Sequence, residues 1–103
     1  MAVNAGIYQD GTATVVTHTT AVPLKSTKTL CYWATIYPFS TNAGTVRVAN
    51  ANHATITTDV GAPLVVGDSH VLWPVPGGLY DLNLIRVDSD NDNDGVKFVY
   101  AAL

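Results

Sequence analysis

Apolar and polar positions along this chain alternate in short bursts, and no stretch carries a helix of useful length. The run Thr12 to Val22 (TATVVTHTTAV) is almost wholly β-branched, which favours a pleated backbone, and Pro23 ends it by removing a ladder donor. Lys25 to Thr29 is a polar turn. Leu30 to Tyr37 (LCYWATIY) reads as the central strand. Leu30, Tyr32, Ala34 and Ile36 fall on one face, with Cys31, Trp33, Thr35 and Tyr37 on the other. Neither set is polar, so both faces are expected to be covered. Pro38 to Gly44 is a loop. In TVRVANA, Val46 and Val48 alternate with Thr45, Arg47 and Ala49, which predicts one buried side and one wet side.

The second half continues in the same manner. His53 to Asp59 (HATITTD) reads as a short strand near an edge, and Gly61-Ala62-Pro63 breaks it. Leu64 to Val66 is brief and stops at Gly67-Asp68. Ser69 to Val75 is another strand, and Pro74 inside it predicts an edge position or a bulge. Pro76-Gly77-Gly78 is a turn. Two apolar runs, Leu82 to Asp88 and Val96 to Ala101, flank an acidic connector bearing Asn and Gly; this is the strongest hairpin signal in the sequence. Seven or eight strands with turn signals about every 8–12 residues predict an all-β single domain, a β-sandwich or small jelly roll, over residues 12–103. Residues 1–11 lack periodicity and read as an extended N-terminal arm, with Ile7 and Tyr8 as candidate anchors on a neighbour.

Composition sharpens the class. At 103 residues, with 48% hydrophobic and 13% charged content, the chain can bury a core of its own and is too apolar for a disordered tail. It contains no Glu, and helix formers for exposed positions are scarce. The net charge of −3 and five scattered basic residues form no stripe able to neutralise a nucleic-acid backbone, so no nucleic-acid partner is expected. No apolar run approaches the roughly 20 residues of a membrane span, and the N-terminus lacks the pattern of a signal peptide. Synthesis in the cytoplasm is the expectation. Adjacent apolar pairs (Val15-Val16, Val65-Val66, Val71-Leu72, Leu84-Ile85) ask for burial on both faces of a strand, and the surplus predicts a subunit interface. Trp33 and Trp73 join Ile7 and Tyr8 as interface candidates.

Candidate chemistry is sparse. Asp88, Asp90, Asp92 and Asp94 alternate with Ser89, Asn91 and Asn93 up to Gly95. The segment from Asp90 matches the first half of a calcium loop, where alternate oxygens converge and Gly permits the sharp turn. The second half fails, because Ala101 stands where a bidentate Glu is required, and residues 96–100 read as a strand. A weak calcium site on these four Asp residues therefore stands beside a plain solvated turn. His18, His53 and His70 lie on separate strands without ligand spacing. Cys31 is the sole cysteine, which excludes an intramolecular disulfide and a thiol-rich metal site; mid-strand, it reads as a buried, inert thiol. No nucleophile motif and no phosphate cradle occurs. No cofactor and no catalytic residue is expected. The tryptophans and tyrosines could instead form a sugar-stacking platform, which leaves a carbohydrate- or receptor-binding module as the alternative. A hydrolase using an Asp pair ranks below both.

Four segments carry a family resemblance: VTHTTAVPL (Val16 to Leu24), NAGTVRVAN (Asn42 to Asn50), GAPLVVGDSHVLWPV (Gly61 to Val75), and the L-x-x-I-x-V-D and V-x-F-x-Y strands between Leu82 and Ala101. Together they resemble small structural proteins of tailed-bacteriophage heads, of the capsid decoration or cement type. Two features depart from the pattern: the Asp-rich connector is longer and more acidic, and the two tryptophans lie outside the likeness. The resemblance implies a non-enzymatic virion protein on the capsid surface that binds the major capsid protein and forms a homotrimer. It implies no active site.

Overall fold

The computed structural model describes residues 8–50 and 61–103. Among the described residues, nine strands form two antiparallel sheets packed face to face, an all-β domain of the sandwich type. The strands are β1 (Tyr8–Val15), β2 (Val22–Pro23), β3 (Leu30–Pro38), β4 (Val46–Asn50), β5 (Ala62–Leu64), β6 (His70–Leu72), β7 (Tyr80–Asp81), β8 (Ile85–Ser89) and β9 (Asp94–Ala102). One sheet has the order β1-β9-β3-β6, with β7 also on β3; the other has the order β2-β8-β4-β5. Four antiparallel pairs are nested along the chain: β1 with β9, β2 with β8, β3 with β6, and β4 with β5. The chain is thus one long folded-back ribbon whose successive rungs fall in alternate sheets.

Between the sheets lies one apolar core. Val15, Ile36, Val46, Leu82, Val87, Val96 and Phe98 are essentially sealed from solvent. Strand β9 is the axis of the larger sheet, with β1 on one side and β3 on the other. Its alternation is regular: Val96, Phe98 and Tyr100 point inward, while Lys97 is exposed and Val99 half-buried. At Gly11, opposite Phe98, an added Cβ would stand 2.7 Å from the Phe98 ring, so only glycine leaves room for the ring there.

Several expectations are corrected. The closing hairpin does not exist as a ladder: β8 pairs with β2 and β4, and β9 pairs with β1 and β3. Residues 90–93 cross from one sheet to the other. A turn-rich connector between two apolar runs has the same local chemistry in both arrangements, and only packing selects the crossover. The β-branched run 12–22 also divides. Strand β1 ends at Val15, a turn follows with Thr20 N–H donating to the Thr17 carbonyl (3.1 Å), and β2 resumes in the opposite sheet. Thr19 sits there at φ 69°, a conformation β-branched residues rarely adopt.

The face assignment in β3 changes as well. Its register on β9 passes from Cys31↔Ala102 to Ala34↔Tyr100, three steps on one strand for two on the other. This bulge turns Cys31, Ala34 and Ile36 inward together, and leaves Tyr32 and Tyr37 exposed at 46% and 36%. The inner face of β3 is therefore buried, while its outer face is left partly uncovered by the described residues. At its other end, strand β1 begins at Tyr8, so residues 8–11 of the segment read as an arm are paired in the sheet. The remainder of that segment with Ile7, the side chain of Tyr8, and the strand expected over His53 to Asp59 lie outside the described residues. Three of the four adjacent apolar pairs have a simpler explanation than two buried faces, while Val71 and Leu72 are both half-buried on β6. Val16, Val65 and Val66 stand in turns and Leu84 in a 3-10 turn (Leu82–Leu84), where all four are exposed.

Candidate functional site

Two surfaces gather the residues singled out by sequence. The first is the edge of the larger sheet where β6 and β7 share β3. Pro74 lies just beyond β6, which is an edge strand among the described residues. Strand β6 takes Ala34 to Ile36, and β7 takes Leu30 and Cys31. The chain between them, Trp73 to Leu79, projects as a loop. It is not slack: Gly78 N–H donates to the Val75 carbonyl (2.8 Å) with Gly77 at φ 72°, the conformation that Pro-Gly favours in a type II turn. Tyr80 Oη donates to the Trp73 carbonyl oxygen at 2.6 Å, pinning the loop to β7.

This pinned loop holds apolar side chains in water. Trp73 is 71% exposed, Val75 and Leu79 are each about half exposed, and so is Tyr32 on the neighbouring strand β3. Continuing the β3–β6 register one step sets Trp73 across from Trp33, which is half-buried. Of the four interface candidates, Trp73 is on this patch, Trp33 borders it, and Ile7 and the side chain of Tyr8 are outside the described residues. Sequence reasoning did not single out Val75, Leu79 or Tyr32 as interface residues. The signal available for the first two was an apolar pair bracketing a Pro-Gly-Gly turn.

The second surface is the sheet-to-sheet crossover with its alternating acids. The four carboxylates do not converge. Asp88 is fully buried opposite Arg47, with Oδ1 accepting the Ser89 N–H (2.8 Å). Asp90 takes a forked pair from Arg47, at 2.6 and 3.2 Å. Asp92 Oδ1 lies 2.6 Å from His18 Nδ1 and accepts the His18 backbone N–H (2.9 Å). Asp94 is buried and accepts from the Ala43 and Gly44 N–H groups at 2.9 and 3.0 Å. Among the described residues, no three acidic, imidazole or thiol side chains gather as a metal site.

What the acids do is fasten loops. Asp92 ties the crossover to the β1–β2 turn, Asp94 ties it to the β3–β4 loop, and Asn42 closes the same junction. The Asn42 amide donates to the Gly95 carbonyl oxygen (2.9 Å) and accepts the Gly95 N–H (2.8 Å), as a strand partner would. The charges also act on one another. The hydrogen bond from Arg47 holds the Asp90 carboxyl below its usual value, and hydrogen bonds from His18 do the same for Asp92. Arg47, expected on a wet face, is only 6% exposed; Asp88 lies across the ladder from it and Asp90 caps its guanidinium.

The remaining candidates are separate. Cys31 is fully buried, and burial, with the Asp81 charge adding to it, pushes its thiol up to about 11. That thiol is a poor nucleophile at neutral pH. His18 and His70 stand apart, on the β1–β2 turn and on β6, and His53 lies outside the described residues. No helix among the described residues is long and apolar enough to cross a membrane. No protein-family model, curated protein or solved structure matches the chain. The likeness to phage head proteins therefore rests on the sequence segments alone.

Proposed function

We propose that this protein is a non-enzymatic decoration (cement) subunit of a tailed-phage head, made in the host cytoplasm and carried on the outside of the capsid. It binds the major capsid protein and associates with itself as a homotrimer. The observation that supports this most is the apolar edge. Trp73, Val75 and Leu79 lie in water on a loop that two hydrogen bonds hold in shape, and Tyr32 is exposed on β3. Contiguous apolar surface on a stiff support is what a permanent interface requires. The nested strand pairs support the finer architectural reading of a small jelly roll, and the four segments between Val16 and Ala101 support the family. The test is reconstitution on capsids that lack the protein, with the solution mass measured by light scattering. A trimer that binds and stabilises the shell is expected. A stable monomer that leaves the shell unchanged overturns the reading.

A second reading has its own observation. A carbohydrate- or receptor-binding module of a fibre or tail needs an exposed aromatic ring, and Trp73 is the most exposed large apolar residue described. Tryptophan fluorescence that is quenched by acrylamide and protected by a glycan favours this reading; quenching relieved only by capsid favours the first.

A further inference from the structure

The outer face of the larger sheet carries a shallow open cleft of about 570 Å³, away from the apolar edge, lined by Asp10, Thr12, Tyr37, Lys97 and Val99 among others. Strand register places these side chains on a grid. Thr12, Lys97 and Tyr37 stand abreast across β1, β9 and β3; Asp10, Val99 and Thr35 form the next row. Asp10 and Tyr37 are thus two strands and one row apart, about 12 Å at the usual spacing, with Val99 and Lys97 on the floor between them. No ion pair or hydrogen bond among the described residues engages the Asp10 carboxylate. The Lys97 ammonium rests 5.9 Å from the Tyr37 ring centroid, an attraction of only about 0.5–1 kcal/mol at an exposed site, so it is a movable donor.

We infer that this cleft binds a neutral hexopyranose unit of an oligosaccharide. The argument is one of complementary chemistry. One carboxylate and one ammonium share the cleft, so a net anion meets Asp10 and a net cation meets Lys97. A purely apolar ligand strips water from both charges without replacing it, which is costly. A polyhydroxyl ligand answers both, because its hydroxyls donate to Asp10, which only accepts, and accept from Lys97, which only donates. The Thr12 and Thr35 hydroxyls serve in either sense. The exposed Tyr37 ring offers a flat apolar surface to the C–H face of the sugar, and the open shape admits a chain passing over the sheet. This site goes beyond the decoration reading and is independent of whether the domain rides on a shell or a fibre.

The test is amide-resolved NMR titration of the full chain with maltohexaose, cellohexaose and a galactomannan oligosaccharide, with sialyllactose as the anionic control. At about 10 mM, above the ~1 mM dissociation constant that corresponds to about −4 kcal/mol, at least one neutral sugar is expected to shift Asp10, Thr12, Tyr37, Lys97 and Val99. Asp10→Ala and Tyr37→Ala each weaken it about tenfold or more with the melting temperature retained. The inference is overturned if no neutral sugar shifts these amides, if shifts gather at Trp73 and Leu79 instead, if sialyllactose binds best, or if Asp10→Ala binds as the parent does.

Discussion

Replacing Asp94 by Ala tests whether the acidic crossover is architecture. Its carboxylate is 4% exposed and accepts two backbone N–H groups, from Ala43 and Gly44. Hydrogen bonds to a charged acceptor contribute about 1.5–3 kcal/mol each. Ala43 is exposed and Gly44 only half-buried, so water recovers part of the loss, and the net cost is about 2–3 kcal/mol. For a domain of this size each kcal/mol lowers the melting temperature by roughly 4–8 °C; a fall of about 10–20 °C in a calorimetric scan is therefore expected. Asp94→Asn keeps one acceptor but turns an amide donor toward the second N–H, and should fall between parent and Ala. The internal control is Asp92→Ala in the same run, where both partners of the ion pair are more than half exposed; that substitution is expected to leave the melting temperature close to the parent's. Equal melting temperatures for the parent and Asp94→Ala, or a larger loss at Asp92 than at Asp94, refute the reasoning.

Gly95→Ala drives a Cβ onto the Ala13 carbonyl oxygen and to 2.8 Å from the Phe39 ring; a loss of about 2–4 kcal/mol in urea unfolding is expected, since β1 cannot retreat. The folded-state carboxyl of Asp90 is depressed by Arg47, so its contribution is complete above the unfolded value of about 4 and disappears as pH falls through the lower folded value. Asp90→Asn should accordingly flatten the acid limb of the stability curve, an effect that added salt shrinks because Asp90 is half exposed. Calcium at about 1 mM should leave the melting temperature unchanged, since each acid is already engaged; a rise of several degrees indicates a bound ion. Leu79→Ser and Trp73→Ser on the apolar edge are expected to leave stability within about 0.5 kcal/mol while abolishing capsid binding in a co-sedimentation assay.

How much of this was legible differs from residue to residue. The β class followed from β-branched runs without helical spacing, and the edge position of β6 from Pro74. The Pro76-Gly77-Gly78 turn and the buried thiol of Cys31 were equally readable. The inward set of β3 was misread because a bulge shifts the phase of alternation, and a bulge depends on a partner strand that local sequence does not name. The acidic run looked like a ligand set because spacing along the chain is one-dimensional. In the fold, Arg47, His18 and the Ala43 and Gly44 amides arrive from three other segments and claim the carboxylates separately. The grid of Asp10, Lys97 and Tyr37 joins residues from both ends and the middle of the chain, and no motif could announce it.

By itself, then, the sequence determined the period of the backbone, the places where it must turn, and the supply of apolar side chains for one core. Those are local properties, set by steric preference and by the alternation of a pleated strand. Tertiary structure decided which strands pair, that the last two runs lie in opposite sheets, and which of four neighbouring acids are buried. Those outcomes depend on closing a core between two sheets, where the free energy belongs to contacts between residues far apart along the chain.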